Sequence, residues 1–333
     1  MLRLPEFRHH HPASLADALA LLAEHAGNVM PIAGGTDLVP NMKHRLFTPG
    51  HVVSLKRLAE LRGVAVAGGE LVIGAAETLA RLALHPLVRR HAPSLARAAG
   101  LVAGPQLRTM GTIGGNLCLD TRCTYYNQTQ FWRQALGYCL KKEGDVCHVT
   151  KTGRKCVAAH SADTPPVLIS VDASVELASA DATRHLKVAD LFIADGVWNS
   201  VRRPDEVLTR IRIPLPPPGR RAAFEKLRQR NSIDFPLLNV AATATIGEGE
   251  RVEAMTVVVS ALGARPRVIS GIDALAEGRP LDAGLIDEVA DRAFQQCHPL
   301  TNIIVDPDWR RAMVPVHVRR ALSGLIAGRS SRR

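Results

Sequence analysis

The first part of the chain alternates amphipathic stretches, short apolar runs and glycine loops. Leucines at helical spacing behind a serine–aspartate capping pair predict a helix over 15–25. Short apolar runs at 29–33, 51–55 and 70–73 predict strands. Because strand, helix and glycine loop alternate, we predict an α/β subdomain over 1–56.

A second unit with helices and strands is predicted over 57–217. An apolar pattern over 94–102 predicts a helix that leads into a second glycine loop. Apolar runs at 167–171 and 173–177 are interpreted as a pair of strands. The proline-rich segment 214–218 then separates this unit from the rest of the chain.

The final part, 218–333, changes character. The runs 241–246 and 255–260 are rich in β-branched residues and predict strands. Apolar positions at helical spacing follow over 281–294 and 313–326. Strands followed by helices predict an α+β domain whose helices pack on one face of a sheet.

Composition excludes two classes of partner. The chain has 333 residues and a net charge of +11, yet aromatic residues make up only 4%. The basic residues are scattered without interleaved aromatic side chains, so we expect no nucleic-acid partner. No apolar run reaches the roughly 18 residues of a membrane-spanning helix, and the first residues contain no apolar signal segment. We expect a cytoplasmic protein.

Two glycine-rich loops are candidates for binding a phosphate. The first has the sequence AGGTD at 33–37, and the second has TIGGN at 112–116. Paired glycines allow backbone N–H groups to approach a pyrophosphate without interference from a Cβ atom. Neither loop has the Rossmann or P-loop pattern. Tight turns and a phosphate site therefore both remain open for these loops.

A third polar motif, HSADT at 160–164, precedes an apolar run. Its serine and Asp163 have side chains that can hydrogen-bond the hydroxyl groups of a ribityl chain. An Asx-type turn that leads into the next element is the alternative interpretation.

Four cysteines are concentrated in one segment of the chain. They are separated by 15, 7 and 8 residues, whereas two further cysteines, Cys118 and Cys297, lie outside the segment. Four thiolates from one region suit an iron–sulfur cluster. The short C-x₂₋₄-C pair of most structural zinc sites is missing, but the spacing alone leaves iron–sulfur, zinc and free thiols open. The four are Cys123, Cys139, Cys147 and Cys156.

A run of three histidines at 9–11 precedes the first predicted helix. Such a run can bind a metal ion or belong to a tag. Because it leads directly into a capped helix, we interpret it as a polar lead-in segment.

The motifs, in their order along the chain, resemble a known family. AGGTD at 33–37, the loop 109–116 and SAD at 161–163 occur in this order in the flavoprotein subunits of molybdenum hydroxylases, such as xanthine and carbon monoxide dehydrogenases. Segments 224–228 and 306–315 resemble the C-terminal domain of that family. The resemblance covers nearly the whole chain.

The cysteine segment resembles one branch of the family, the 4-hydroxybenzoyl-CoA reductases. Their flavin subunit carries an insertion that holds a 4Fe–4S cluster. The resemblance implies a similar insertion at about 122–158, with Cys123, Cys139, Cys147 and Cys156 as the metal ligands.

The resemblance also implies the fold and the flavin site. The expected fold is α+β: a two-part α/β FAD-binding domain of the vanillyl-alcohol-oxidase (PCMH-like) type, followed by an α+β domain of the CO dehydrogenase flavoprotein type. FAD would lie between the subdomains, with its pyrophosphate against the paired glycines. The expected FAD-binding residues are Ile32, Ala33, Gly34, Gly35, Thr36, Asp37, Thr109, Thr112, Gly114, Gly115, Asn116, Asp163 and Lys226. For Lys226 the alternative interpretation is an exposed lysine on a strand edge, which needs no special role.

The function implied is electron transfer, with no catalytic residue on this chain. Electrons would pass from ferredoxin through the 4Fe–4S cluster, FAD and the two 2Fe–2S clusters of a small subunit to a large molybdenum subunit. That subunit would reduce 4-hydroxybenzoyl-CoA to benzoyl-CoA, within a hetero-oligomer expected to be a dimer of heterotrimers. Two alternatives remain: a molybdenum hydroxylase that passes electrons to NAD, and a binding protein with a zinc-stapled loop.

The cysteine segment is also basic. Between 121 and 156, seven lysines or arginines accompany two acidic residues. A positive surface around the cluster would attract an acidic ferredoxin. Lys141 and Lys142 are the expected docking residues.

Overall fold

The computed structural model describes residues 2–326, in which the strands form three sheets. The first sheet is parallel, with strand order β1-β3-β2. Helix α1 begins with a reciprocal capping box between Ser14 and Asp17, as the sequence predicts. The elements are β1 (Arg8–His10), α1 (Leu15–Glu24), β2 (Val29–Ile32), α2 (Leu38–Lys43) and β3 (His51–Ser54).

The second sheet is antiparallel, with order β4-β5-β8-β6-β7. Its apolar face packs against α3, α5 and α9 around buried residues such as Ile73, Leu95 and Ile211. The strands are β4 (Val64–Ala67), β5 (Glu70–Gly74), β6 (Ser174–Ala178), β7 (Thr183–Lys187) and β8 (Val207–Pro214). The helices are α3 (Leu79–Leu84), α4 (Pro86–His91), α5 (Pro93–Leu101), α6 (Pro105–Arg108), α7 (Ile113–Leu117), α8 (Gln130–Leu136) and α9 (Thr164–Ser170).

The third sheet is antiparallel, with order β12-β11-β10-β9, and helices cover both of its faces. Alternate residues of β10 pack in opposite directions: Val240 and Ala242 join the core with α11 and α12, whereas Ala241 joins the core with α5 and α9. This is why every residue of β10 is buried. The elements are β9 (Arg220–Leu227), β10 (Leu238–Ile246), β11 (Val252–Ser260), β12 (Arg267–Val268), α10 (Ile272–Ala276), α11 (Ala283–Gln296) and α12 (Pro307–Ile326).

One predicted strand is wrong. The run 167–171 lies mostly in helix α9, which begins at Thr164 with two prolines in its first turn. Proline suits the first turn of a helix because the N–H groups there have no intrahelical acceptor. The helix is buried along its whole length, so its apolar run carries no periodicity that distinguishes it from a buried strand.

The other predicted elements are observed with ends shifted by a few residues, up to six at the start of α12. The second glycine loop is partly helical, because 113–117 form α7. The domain boundaries at 56 and 217 stay predictions. Within residues 2–326, no helix is both long and apolar enough to cross a membrane.

Candidate cofactor and metal sites

The two glycine loops contact each other through their backbones. A Cβ atom on Gly34 would collide with the carbonyl oxygen of Met110, just before the second loop. On the second loop, a Cβ atom on Gly114 would lie 2.8 Å from that of Ala75. Gly35 has φ +71°, a conformation that side chains other than glycine's adopt at a cost. The glycines therefore allow an approach that no larger residue permits.

Both loops line one cavity of about 640 Å³. Most of the predicted flavin-binding residues line it, although the loops that carry them are remote in sequence. Two do not: Thr109 and Lys226 are absent from the lining. The predicted residues that line it are Ile32, Ala33, Gly34, Gly35, Thr36, Asp37, Thr112, Gly114, Gly115, Asn116 and Asp163.

The loops differ in the backbone donors that they leave free. The N–H of Gly114 donates to the carbonyl oxygen of Ala75 at 2.9 Å, and the N–H of Gly115 donates to Oγ1 of Thr112 at 3.1 Å. In the first loop, the N–H groups of 34–38 have no acceptor among the described residues. Free N–H groups of this kind can bind an anion. The first loop is thus the better phosphate cradle.

Asn116 connects the second loop to the start of α9. Its Oδ1 accepts hydrogen bonds from the N–H and the hydroxyl of Thr164, at 3.1 and 2.7 Å. The neighbouring Asp163 therefore lies beside the loop and lines the cavity.

Asp163 forms a buried ion pair with Lys226. The ammonium donates to Oδ2 of Asp163 at 2.7 Å and to the carbonyl oxygens of Leu101 and Asp234 at 2.9 and 3.0 Å, which uses all three of its protons. Asn239 donates to the other carboxylate oxygen at 3.0 Å. Burial raises the pKa of Asp163, and Lys226 and Asn239 offset part of that effect.

The alternative interpretation of Lys226, as an exposed lysine on a strand edge, is wrong. Only 1% of its side chain is exposed, because α5 and the loop after β9 cover it. Lys226 positions Asp163 and does not itself line the cavity.

Asp37 is the acidic group of the first loop. It accepts a hydrogen bond from Asn41 at 3.0 Å and lies 3.5 Å from a guanidinium nitrogen of Arg122. Burial raises its pKa to about 6, although Arg122 opposes the shift.

Several cavity-lining residues carry no recognisable motif and were missed from the sequence. They lie in loops outside both glycine motifs, so no local pattern identifies them as cavity-lining. Arg122 places its guanidinium 4.0 Å from the ring centroid of Phe235 and beside Asp37. The others are Tyr126, Lys141, Trp198, Arg202 and Phe235.

The four cysteines of the segment converge on a second, small cavity of about 20 Å³. Cys139, Cys147 and Cys156 are buried and Cys123 is partly buried. Tetrahedral zinc with bonds of about 2.3 Å requires sulfur atoms about 3.8 Å apart. Among the described residues, no three of these sulfurs lie within 4.8 Å of one another. The arrangement is therefore wider than that of a mononuclear site.

The surroundings of the thiols differ from one cysteine to the next. Burial raises the pKa of Cys123 to about 11, and the other three cysteines add to the shift. Burial also opposes ionisation of Cys147, but hydrogen bonds from Thr150, Val149 and Val157 outweigh it and lower the pKa of that thiol. Hydrogen bonds to sulfur are one of the means by which proteins adjust iron–sulfur clusters.

The cysteine segment is anchored at both ends. Arg122 and Ala159 exchange two backbone hydrogen bonds of 2.8 Å, which hold the ends of the segment together. Asn302 of the C-terminal domain accepts from the N–H of Thr124 and donates to the carbonyl oxygen of Val157. Arg133 donates to the carbonyl oxygens of His44 and Arg45 in the first subdomain.

Tyr126 and Lys141 line both cavities and form the wall between them. Lys141 lies 4.4 Å from the ring centroid of Tyr126 and donates to Asp120 at 2.6 Å. Its side chain is only 4% exposed, so its predicted role as a docking residue is wrong. The physical reason is the partly buried carboxylate of Asp120, which pairs with the ammonium of Lys141. Lys142 is partly exposed beside Glu143.

Comparison with known families identifies the chain. Residues 5–216 match the FAD-binding domain in molybdopterin dehydrogenase, and residues 222–325 match the CO dehydrogenase flavoprotein C-terminal domain. The chain belongs to the FAD-binding subunits of the molybdenum hydroxylase family. The expected two-domain fold and the expected flavin are therefore confirmed.

Individual relatives agree along nearly the full chain. The carbon monoxide dehydrogenase medium chain of Afipia carboxidovorans is 29% identical over 95% of this chain and 95% of its own. The FAD-binding subunit of an Escherichia coli aldehyde oxidoreductase is 31% identical over 84% and 87%. The structure is similar to carbon monoxide dehydrogenase of Hydrogenophaga pseudoflava, with a TM-score of 0.81, 26% identity and 98% and 99% coverage. These relatives act on different substrates, so the family does not identify one.

The ion pair beside the cavity gives a stability prediction. Lys226→Met leaves the buried carboxylate of Asp163 without its cation, so we expect the free energy of unfolding to fall by about 3–5 kcal/mol in urea denaturation. The double variant Lys226→Met/Asp163→Asn should recover part of this loss. Lys187→Met, which removes the exposed pair with Asp172, should cost about 1 kcal/mol or less. Equal effects of the two single changes would contradict the buried pair.

Proposed function

We propose that this chain is the cytoplasmic FAD and 4Fe–4S electron-transfer subunit of a 4-hydroxybenzoyl-CoA reductase, an enzyme of anaerobic aromatic degradation. The four cysteines around a small cavity, three of them buried, lie next to the flavin cavity and carry the proposal. The chain would serve a large molybdenum subunit and a small subunit with two 2Fe–2S clusters, in a dimer of heterotrimers. Relatives named as medium chains of larger enzymes support an assembly of this kind.

The proposed cradle for the FAD pyrophosphate is the first glycine loop. Its free N–H groups at 34–38 can donate to phosphate oxygens. The second loop contributes close approach at Gly114 and Gly115 and the amide side chain of Asn116. Asp163, held by Lys226, provides an acceptor for a hydroxyl of the flavin chain. When bound, FAD supplies both one-electron and two-electron chemistry.

Adding one methyl group at Gly34 tests the proposed cradle for the FAD pyrophosphate. Gly34→Ala should lower the affinity for FAD at least about tenfold, because the new Cβ forces the two loops apart at Met110. Flavin released by acid from the purified chain gives the occupancy.

Gly100→Ala is the matched control, since its Cβ would meet only Ala83 at an ordinary 3.6 Å. That variant should keep its flavin. A Gly34→Ala chain with full flavin content would show that the loops do not form the cradle.

A 4Fe–4S cluster suits the cysteine segment better than zinc does. Four thiolates from one chain satisfy such a cluster, and a cubane of iron and sulfide needs a wider ligand set than one metal ion. The sulfurs are spaced too widely for mononuclear zinc. The backbone N–H of Ala158, 3.5 Å from Sγ of Cys156, adds a donor to a ligand sulfur.

Metal content of the anaerobically purified chain tests this assignment. We expect about four iron atoms per chain and an EPR signal after reduction with dithionite. Cys139→Ala should abolish both, because a cluster with three thiolates lacks one ligand.

Cys297→Ala removes a buried cysteine of the C-terminal core and should leave iron unchanged. Zinc without iron in the wild-type chain would favour the zinc-stapled alternative. Flavin without any metal would favour the alternative of a molybdenum hydroxylase that passes electrons to NAD.

The wall between the cavities supports electron transfer between their occupants. Tyr126 and Lys141 border both spaces, so no further layer of residues separates them. The ammonium of Lys141 donates to Thr121 and to the carbonyl oxygen of Gly196 as well as to Asp120, and this network fixes its position. A fixed positive charge there stabilises added negative charge on either side.

Ferredoxin is proposed as the electron donor, docked on the exposed basic residues of the segment. Lys151, Arg154 and Lys155 are exposed and lie on the loop between Cys147 and Cys156. This placement replaces the predicted use of Lys141, which is buried. Basic side chains next to a cluster would steer an acidic redox protein toward it.

Charge reversal tests the docking surface. Lys151→Glu/Lys155→Glu should slow reduction by ferredoxin at least about tenfold at low salt and less at high salt, because screening weakens steering. Lys56→Glu/Arg57→Glu, which reverses two exposed charges near β3, is the control and should leave the rate unchanged. If the Lys151→Glu/Lys155→Glu variant were reduced as fast as the control variant, this surface would not be the docking site. The flavin and iron content should stay unchanged in both variants.

A further inference from the structure

Three histidines from separate elements meet in the first subdomain, far along the chain from the cysteine segment. His10 ends β1, His25 caps the C-terminus of α1, and His51 begins β3. The parallel pairing of β1 with β3 aligns Arg8 with His51 and brings His10 within reach of His51. All three residues are half-buried.

Their ring nitrogens are close enough to share an ion. One ligand nitrogen from each ring lies within 4.8 Å of the other two, and no other group of His, Cys, Asp or Glu among residues 2–326 meets this condition. Nε2 of His10 lies 2.9 Å from Nδ1 of His51. Zinc bound at about 2.0–2.1 Å places tetrahedral nitrogens about 3.3 Å apart, so binding of an ion would draw the three nitrogens together and turn the rings toward a common point.

Stacking and a hydrogen bond between His10 and His51 hold the three rings together. The rings of His25 and His51 stack with centroids 3.7 Å apart, and those of His10 and His51 stack at 5.1 Å. The facing charged groups are Arg8 and Glu24, and Glu24 is 68% exposed with an oxygen 3.7 Å from Nε2 of His25. A metal ion would use the ring nitrogens of these three imidazoles, the side chain that most often ligates metals in proteins.

We propose that His10, His25 and His51 bind a divalent transition-metal ion, of the class that prefers imidazole: zinc, nickel or copper. Three imidazoles leave one position for water or for the carboxylate of Glu24. The ion would link the short edge strand β1 to α1 and β3. Within the sheet, β1 pairs with β3 alone. The proposal departs from the interpretation of the histidine run as a polar lead-in, and of that run it uses His10 alone.

Zinc titration of the full chain by calorimetry tests the site. His10→Gln, His25→Gln and His51→Gln should each weaken binding at least about tenfold, because each removes one of three ligands. His9→Gln and His11→Gln are the matched controls, from the same run but outside the cluster, and should bind as the wild type does. The cysteine segment is the same in all variants, so any zinc that it takes cancels in the comparison.

A second measurement needs no variant. Zinc should protect His10, His25 and His51 of the wild-type chain from diethyl pyrocarbonate, with His9 and His11 still modified, as read by mass spectrometry. The proposal is overturned if His9→Gln or His11→Gln weakens zinc binding as much as His10→Gln does. It is equally overturned if the His25 and His51 variants keep wild-type affinity, or if zinc protects none of the three.

Discussion

The flavin cavity depends on a contact between two backbones. Gly34 approaches the carbonyl oxygen of Met110 so closely that no side chain fits between the loops. The first loop follows β2 of the parallel sheet, and Met110 lies between α6 and α7. The N–H groups of the first loop have no acceptor among the described residues and line a large cavity, so they are free to bind a pyrophosphate.

The C-terminal domain contributes to the same cavity from the other side. Its Lys226 fixes Asp163, Phe235 lines the cavity, and Asn302 holds both ends of the cysteine segment. Because β10 is covered on both faces, the two domains share their core. The cofactor sites are thus positioned by packing between the domains as well as by the loop motifs.

The sequence predicted the local parts of this arrangement well. The glycine pairs, the capped first helix and the four cysteines are short motifs whose chemistry depends on neighbouring residues. The sequence-based prediction failed where burial in the folded protein determines the environment of a residue. Lysine side chains are usually exposed, but those of Lys226 and Lys141 are buried because Asp163 and Asp120 pair with them inside the protein. Full burial also explains the wrong strand prediction for the run 167–171, because a helix that is buried on all sides lacks the periodic pattern that marks a helix in the sequence. Trp198 and Phe235 reach the cavity from loops that no motif marks, and Arg122 reaches it from the start of the cysteine segment.

The central claim is that a four-iron cluster occupies the small cavity between Cys123, Cys139, Cys147 and Cys156. Anomalous diffraction from anaerobically grown crystals, recorded on both sides of the iron and zinc absorption edges, tests it most directly. The account predicts iron density bounded by these four sulfurs, separated from the flavin by Tyr126 and Lys141. A single zinc peak there, or sulfurs with no metal between them, would contradict it.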